Sequence, residues 1–232
     1  MTLAFIGTLS NDQSMALIFL CIILIIEAWI DLTELRVPNK ITFPMIFAGW
    51  LYAFGRAFFV TQDSGTTLEL YVWPMGPDFT LTQSPLVEAL IGLWSSFKLT
   101  MLGFFLLIWL YAIGGMGAGD VKMQMGFGAW VAPIFGYAHG FQIVLWGWIF
   151  AVIIGGFISA IMIWWRGNFS QNKQNVSDIV GDLFSGKSVG QIADRAAERK
   201  PRMQLLPYGV PLCLGFIGYI LLDHFKMWPN FW

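Results

Sequence analysis

Residues 15 to 30 read MALIFLCIILIIEAWI, sixteen positions with a single charge, Glu27. Similar runs recur along the chain, several of them near 20 residues long. About 20 apolar residues are what a helix needs to cross the hydrocarbon core of a bilayer. The runs therefore predict an all-α, polytopic membrane bundle. Composition agrees: 57% of the 232 residues are hydrophobic and 12% charged, against about 25% charged in soluble domains. Mean hydropathy is +0.66. A net charge of −1 with no basic patch excludes a phosphate-neutralising nucleic-acid surface. Cys21 and Cys213 both lie in apolar runs and read as small buried hydrophobes, not as a zinc site or a disulfide framework. The first fourteen residues hold no Lys or Arg, so they lack the basic region of a secretory signal.

Six spans are expected, forming a single membrane-embedded domain over 1–232. They are 15–30, about 41–60, a third starting between Leu86 and Leu99 and ending at the glycine break at Gly114, a short fourth from Val121 to about Pro133, a fifth from Phe141 to Trp165 after a tight turn near His139-Gly140, and a sixth from about Pro207 to Phe225. In the link after the first span, Pro38 disfavours helix before it and Asn39 is a suitable N-cap for the second. Two hydrophilic loops remain, about 61–85 and 166–206. Within the latter, Ile179, Val180, Leu183 and Phe184 allow a short surface helix, although Gly186 and Gly190 weaken a long one.

Loop charges set the orientation. Arg36, Lys40, Lys122 and the seven Lys and Arg of 166–206 fall in one set of links; the other set holds none before Lys226. Both termini are then outside, in what would be the cytoplasmic (inner) membrane. Trp73, Trp228 and Trp232 suit the outer interface, Trp164 and Trp165 the inner one.

Between the third and fourth spans lies Gly114-Gly115-Met116-Gly117-Ala118-Gly119-Asp120-Val121-Lys122. An acid bounded by apolar runs marks a functional site with a partner, and Gly117 and Gly119 permit close backbone approach. The orientation places Asp31 at the same cytoplasmic boundary as Asp120, although 89 residues separate them. Two adjacent carboxylates share a proton and can activate water for hydrolysis, without a metal or cofactor. His139 and His224 fall at the other face, so no Ser–His pair is available there. Helix dipoles favour Asp120, at a helix start, as the ionised base, and leave the shared proton more often on Asp31, at a helix end. Glu27, one turn before Asp31, either tunes the pair or bonds within the bundle. Gln124, one turn after Asp120, either orients water or makes a bundle contact.

Three segments resemble the type IV prepilin peptidases, the GxGD class of membrane aspartyl proteases. They are Asp31 followed by Val37-Pro38-Asn39, the string GMGAGDVK (Gly115 to Lys122), and LPYGVPLCLG (Leu206 to Gly215). The resemblance implies Asp31 and Asp120 as the catalytic pair, with Gly117, Gly119, Lys122, Pro38, Asn39, Pro207 and Gly209 as supporting motif positions. It also implies a prepilin or pseudopilin substrate cut at the cytoplasmic face, with pilus or secretion machinery as a further partner beside the bilayer. There is no CxxC pair and no room for the cytoplasmic domain of the long form. The chain is therefore similar to the short branch that serves Flp-type pili.

Other readings compete. A presenilin-like intramembrane protease would place Tyr before the first Asp and carry a Pro-Ala-Leu segment; here Ile30 precedes Asp31 and no such segment occurs. A proton-coupled transporter would relay protons over Glu27, Asp31 and Asp120, but such carriers often show internal repeats and none is found. A non-catalytic assembly protein has no need to retain both aspartates.

Overall fold

The structure, a computed structural model, describes residues 9–34, 37–64, 84–112, 116–166 and 207–224. Among these residues there is no strand, and six helices carry the chain: α1 Asn11–Glu34, α2 Asn39–Ser64, α3 Pro85–Ala112, α4 Ala118–Phe135, α5 Tyr137–Arg166 and α6 Gly209–His224. The all-α polytopic bundle expected from the apolar runs is what forms. Arg36, Gly114, Gly115, Lys226, Trp73, Trp228, Trp232, the 176–200 segment and most of both hydrophilic loops lie outside the described residues.

Among the described residues, three helices are long and apolar enough to cross a membrane on their own: Asn11–Glu34, Pro85–Ala112 and Tyr137–Met162. They display Met15, Trp29, Phe105, Phe157, Ile161 and other large apolar side chains outward, which is the surface that lipid requires. α4 is built differently. It packs against α1, α2, α3, α5 and α6 and buries Asp120, Gln124 and Trp130 along with its apolar residues. A helix enclosed by its neighbours has no lipid face, so it can be short and rich in glycine.

Glycine sets how closely α4 is held. A Cβ at Gly103 of α3 would lie 2.6 Å from the Gln124 carbonyl oxygen, and one at Gly49 of α2 would lie 2.8 Å from Ala129 Cβ. Such approach of small residues drives helix association where no hydrophobic force acts between helices. Phe127 stacks on Phe216 of α6, ring centroids 3.6 Å apart.

The turn after α4 falls at Gly136, not near His139-Gly140. Gly136 takes φ +80° and donates its N–H to Ala132 O at 2.8 Å; a positive φ is cheap only for glycine, so the chain reverses there and α5 begins at Tyr137. The second span also runs beyond its expected end to Ser64, and the third begins at Pro85, with Ser84 O accepting from Val87 N. Pro at the first helical position lacks only an N–H that would have no helical partner.

Two charges inside spans had no part in the loop count. Arg56 of α2 pairs with Asp12 at 3.0 Å. Lys98 of α3 places Nζ 3.9 Å from the centre of the Tyr137 ring. Asp12 opens α1 and Tyr137 opens α5, so both cations are drawn to the bundle end opposite Asp31.

Pro133 lies inside α4 and cannot donate to the carbonyl four residues back, that of Ala129. Ser96 Oγ of α3 donates to that oxygen instead, at 2.6 Å. Ser96→Ala should therefore destabilise the bundle by about 1–3 kcal/mol, the cost of a buried unsatisfied acceptor. The loss should shrink in a Pro133→Ala background, where the helical N–H returns; a double-mutant cycle of thermal melts in detergent measures both.

Candidate active site

Four chain segments converge at one end of the bundle: the end of α1, the link through Val37 and Pro38, the start of α4 and the start of α6. Asp31 lies in the last turn of α1 and Asp120 in the first turn of α4, each 4% exposed. The two carboxylates lie within electrostatic range of each other, so the structure brings the predicted pair together.

Each acid is held by one backbone N–H at a helix start. Asp120 is the third residue of α4, and its Oδ2 accepts the N–H of Gly117, the N-cap, at 3.0 Å. This is the returning half of a capping box. Asp31 Oδ2 accepts the N–H of Gly209, the first residue of α6, at 2.7 Å. Asp31 therefore meets the N-terminus of α6 as well as ending α1. The positive end of that dipole faces it, so a comparison based on each residue's own helix does not rank the two acids. Asp120 Oδ1 is buried with no hydrogen-bond partner among the described residues. The site thus offers one backbone-anchored oxygen on each acid and an unclaimed oxygen on Asp120, an arrangement suited to binding and polarising a water.

The motif glycines have distinct local duties. A Cβ at Gly119 would fall 2.9 Å from Val37 Cβ and 3.1 Å from the Val37 backbone, so the link after α1 lies directly on the start of α4. A Cβ at Gly209 would fall 2.9 Å from Asp31 Cβ and 3.0 Å from its Oδ2. At Gly117 the contact would be with Asp120 Oδ2, at 3.3 Å. Pro38 O accepts from Ile41 N at 3.1 Å and so opens α2. Asn39 does not act as the expected N-cap: its Oδ1 accepts from Lys122 Nζ at 2.6 Å. Lys122, which also sits 4.8 Å over the Phe43 ring, ties α4 to α2 instead of reaching the acids. Pro207 directly precedes the turn into α6, and Val210 N donates to its carbonyl at 3.2 Å.

Tyr208 was not singled out from sequence. Its hydroxyl lies within range of the Asp120 charge, and its place inside the Pro-Tyr-Gly string was the available signal. His139 is at the far end, 3.1 Å from Asp223. Among the described residues no three His, Cys, Asp or Glu side chains are grouped to hold a metal.

Gly209→Ala should push the Asp31 carboxylate off its 2.7 Å bond, and Gly119→Ala should wedge α4 from Val37. Each should lower stability by about 1–3 kcal/mol, read as a lower melting temperature. Gly218→Ala, where a Cβ meets nothing within 4 Å, should be neutral.

A model of the type IV leader peptidase family matches residues 18–164. The matched span contains Asp31 and Asp120; the 206–215 segment lies outside it. Searches of curated proteins and of solved structures gave no match.

Proposed function

The chain belongs to the type IV leader peptidase family, and from that premise we propose that Asp31 and Asp120 are the catalytic pair of its aspartyl peptidase activity. The substrate is a Flp-like prepilin or pseudopilin, whose leader is removed at the cytoplasmic face of the inner membrane. The observation that carries this reading is the meeting of two buried carboxylates from α1 and α4 at one end of the bundle.

In the reaction, one water lies between the two acids. The ionised carboxylate takes a proton from it while the protonated one donates to the carbonyl oxygen of the scissile peptide. The tetrahedral intermediate collapses with proton transfer to the leaving nitrogen, giving a new carboxylate and a new amine. The Gly117 and Gly209 N–H groups hold the two carboxyl groups in register, so little reorganisation is needed during the step. The orientation supporting a cytoplasmic cut comes from Lys40, Lys122 and the basic 166–206 segment. It also places both termini outside, with assembly machinery recruited to the product. Gly117 and Gly209 hold the carboxyl groups directly, and Gly119, Pro38, Asn39, Lys122 and Pro207 support the surrounding geometry.

Co-expression with candidate Flp-type precursors, followed by mass measurement of leader removal, tests the assignment. Wild type should process a precursor; Asp31→Asn and Asp120→Asn should each slow cleavage at least about a thousandfold while inserting normally. A variant that cuts at the wild-type rate would remove that residue from the pair.

A further inference from the structure

Two fully buried polar side chains stand behind the aspartates with no hydrogen-bond partner among the described residues. Glu27 precedes Asp31 by four residues and Gln124 follows Asp120 by four, so each shares a helix side with its acid. Both are 0% exposed. Among the described residues, neither carboxyl oxygen of Glu27 and neither polar atom of the Gln124 amide has a hydrogen-bond partner. α1 ends and α4 begins at the Asp31–Asp120 level. Both residues therefore lie on the inward side of the pair, about 6 Å deeper at 1.5 Å of rise per residue.

Among the described residues, none brings a counter-charge to Glu27. Glu27 is within electrostatic range of Cys213 on α6, which in turn senses Cys21 on α1. Gln124 is fixed from α3, where a Cβ at Gly103 would lie 3.2 Å from its Cγ. Buried polar groups are almost always satisfied, and where protein supplies no partner, ordered water does. An acid kept in such a place for packing alone has no rationale, because an apolar residue of similar volume would be at least as stable.

We propose that Glu27 and Gln124 are positioning residues that hold water one turn behind the Asp31–Asp120 pair and deliver it for hydrolysis. The proposal rests on the reading of those aspartates as the catalytic pair. Each cleavage consumes one water: its oxygen joins the new carboxylate, and its two hydrogens end on the new amine as ammonium. A pair with little contact with bulk water gains from a local store.

The test uses purified protein with a Flp-type precursor. Glu27→Leu and Gln124→Leu should lower kcat about tenfold or more with KM within about twofold, at an equal or higher melting temperature. Glu27→Gln and Gln124→Glu should restore most of the rate. Wild-type kcat in both Leu variants, or a rate loss that follows a falling melting temperature without rescue, would overturn the proposal. If Asp31→Asn and Asp120→Asn are inactive while the Leu variants work normally, only the water store is wrong; if the Asn variants cleave, the pair itself is wrong. A readout without substrate is X-ray radiolysis, which oxidises side chains beside bound water. Buried Cys213 should be oxidised in wild type and protected in Glu27→Leu; no oxidation in wild type would also overturn the proposal.

Discussion

The hydrogen bond from Gly209 N–H to Asp31 joins the first described helix of this bundle to the last, across 178 residues of chain. A carboxylate in an apolar bundle needs a donor, and the exposed N–H groups at a helix start are the densest source of donors a backbone can offer. Asp120 uses the same device on its own helix through Gly117. Once both acids are held this way, the helix ends that supply the donors must gather at one level of the membrane. The positions of α1, α4 and α6 follow from that requirement.

Glycine makes the gathering possible. With a side chain at 209 the Asp31 carboxyl group has no room, and with one at 119 the Val37 link cannot rest on α4. The same economy of volume runs along α4, where Gly103, Gly49 and Gly126 let backbones and the Met45 side chain approach closely. The GMGAGDVK string is thus a packing code as well as a chemical one: its Gly119 admits the Val37 link, its Asp accepts the Gly117 N–H at the start of α4, and its Lys reaches across to Asn39.

Much of this was legible in the residues. Long apolar runs announce α1, α3 and α5 because lipid selects for them directly. The meeting of Asp31 with Asp120 was legible because charge in the links fixed which spans end on the same side. Other features were not. The helix start facing Asp31 comes from α6, and no local pattern around residue 31 encodes a donor so distant in the chain. Asn39 has the composition of a cap but is claimed by Lys122, a tertiary contact that local propensity does not register. Arg56 and Lys98 escaped a loop-based count because long side chains carry their charge toward a membrane boundary from positions within a span. Tyr208 lay within a quoted string, yet only the fold shows that it approaches Asp120.

The enclosure of α4 has a consequence for biosynthesis. Asp120, Lys122 and Gln124 make this segment a poor candidate to partition into lipid alone, and a single residue, Gly136, separates it from strongly apolar α5. Inserted together as a hairpin, the two helices would draw the partitioning energy for both from α5. Nascent α4 must then be received promptly by α3, whose Ser96 hydroxyl and Gly103 seam are already waiting. The helix that holds Asp120 is therefore the one whose insertion would depend most on the order in which its neighbours emerge from the ribosome.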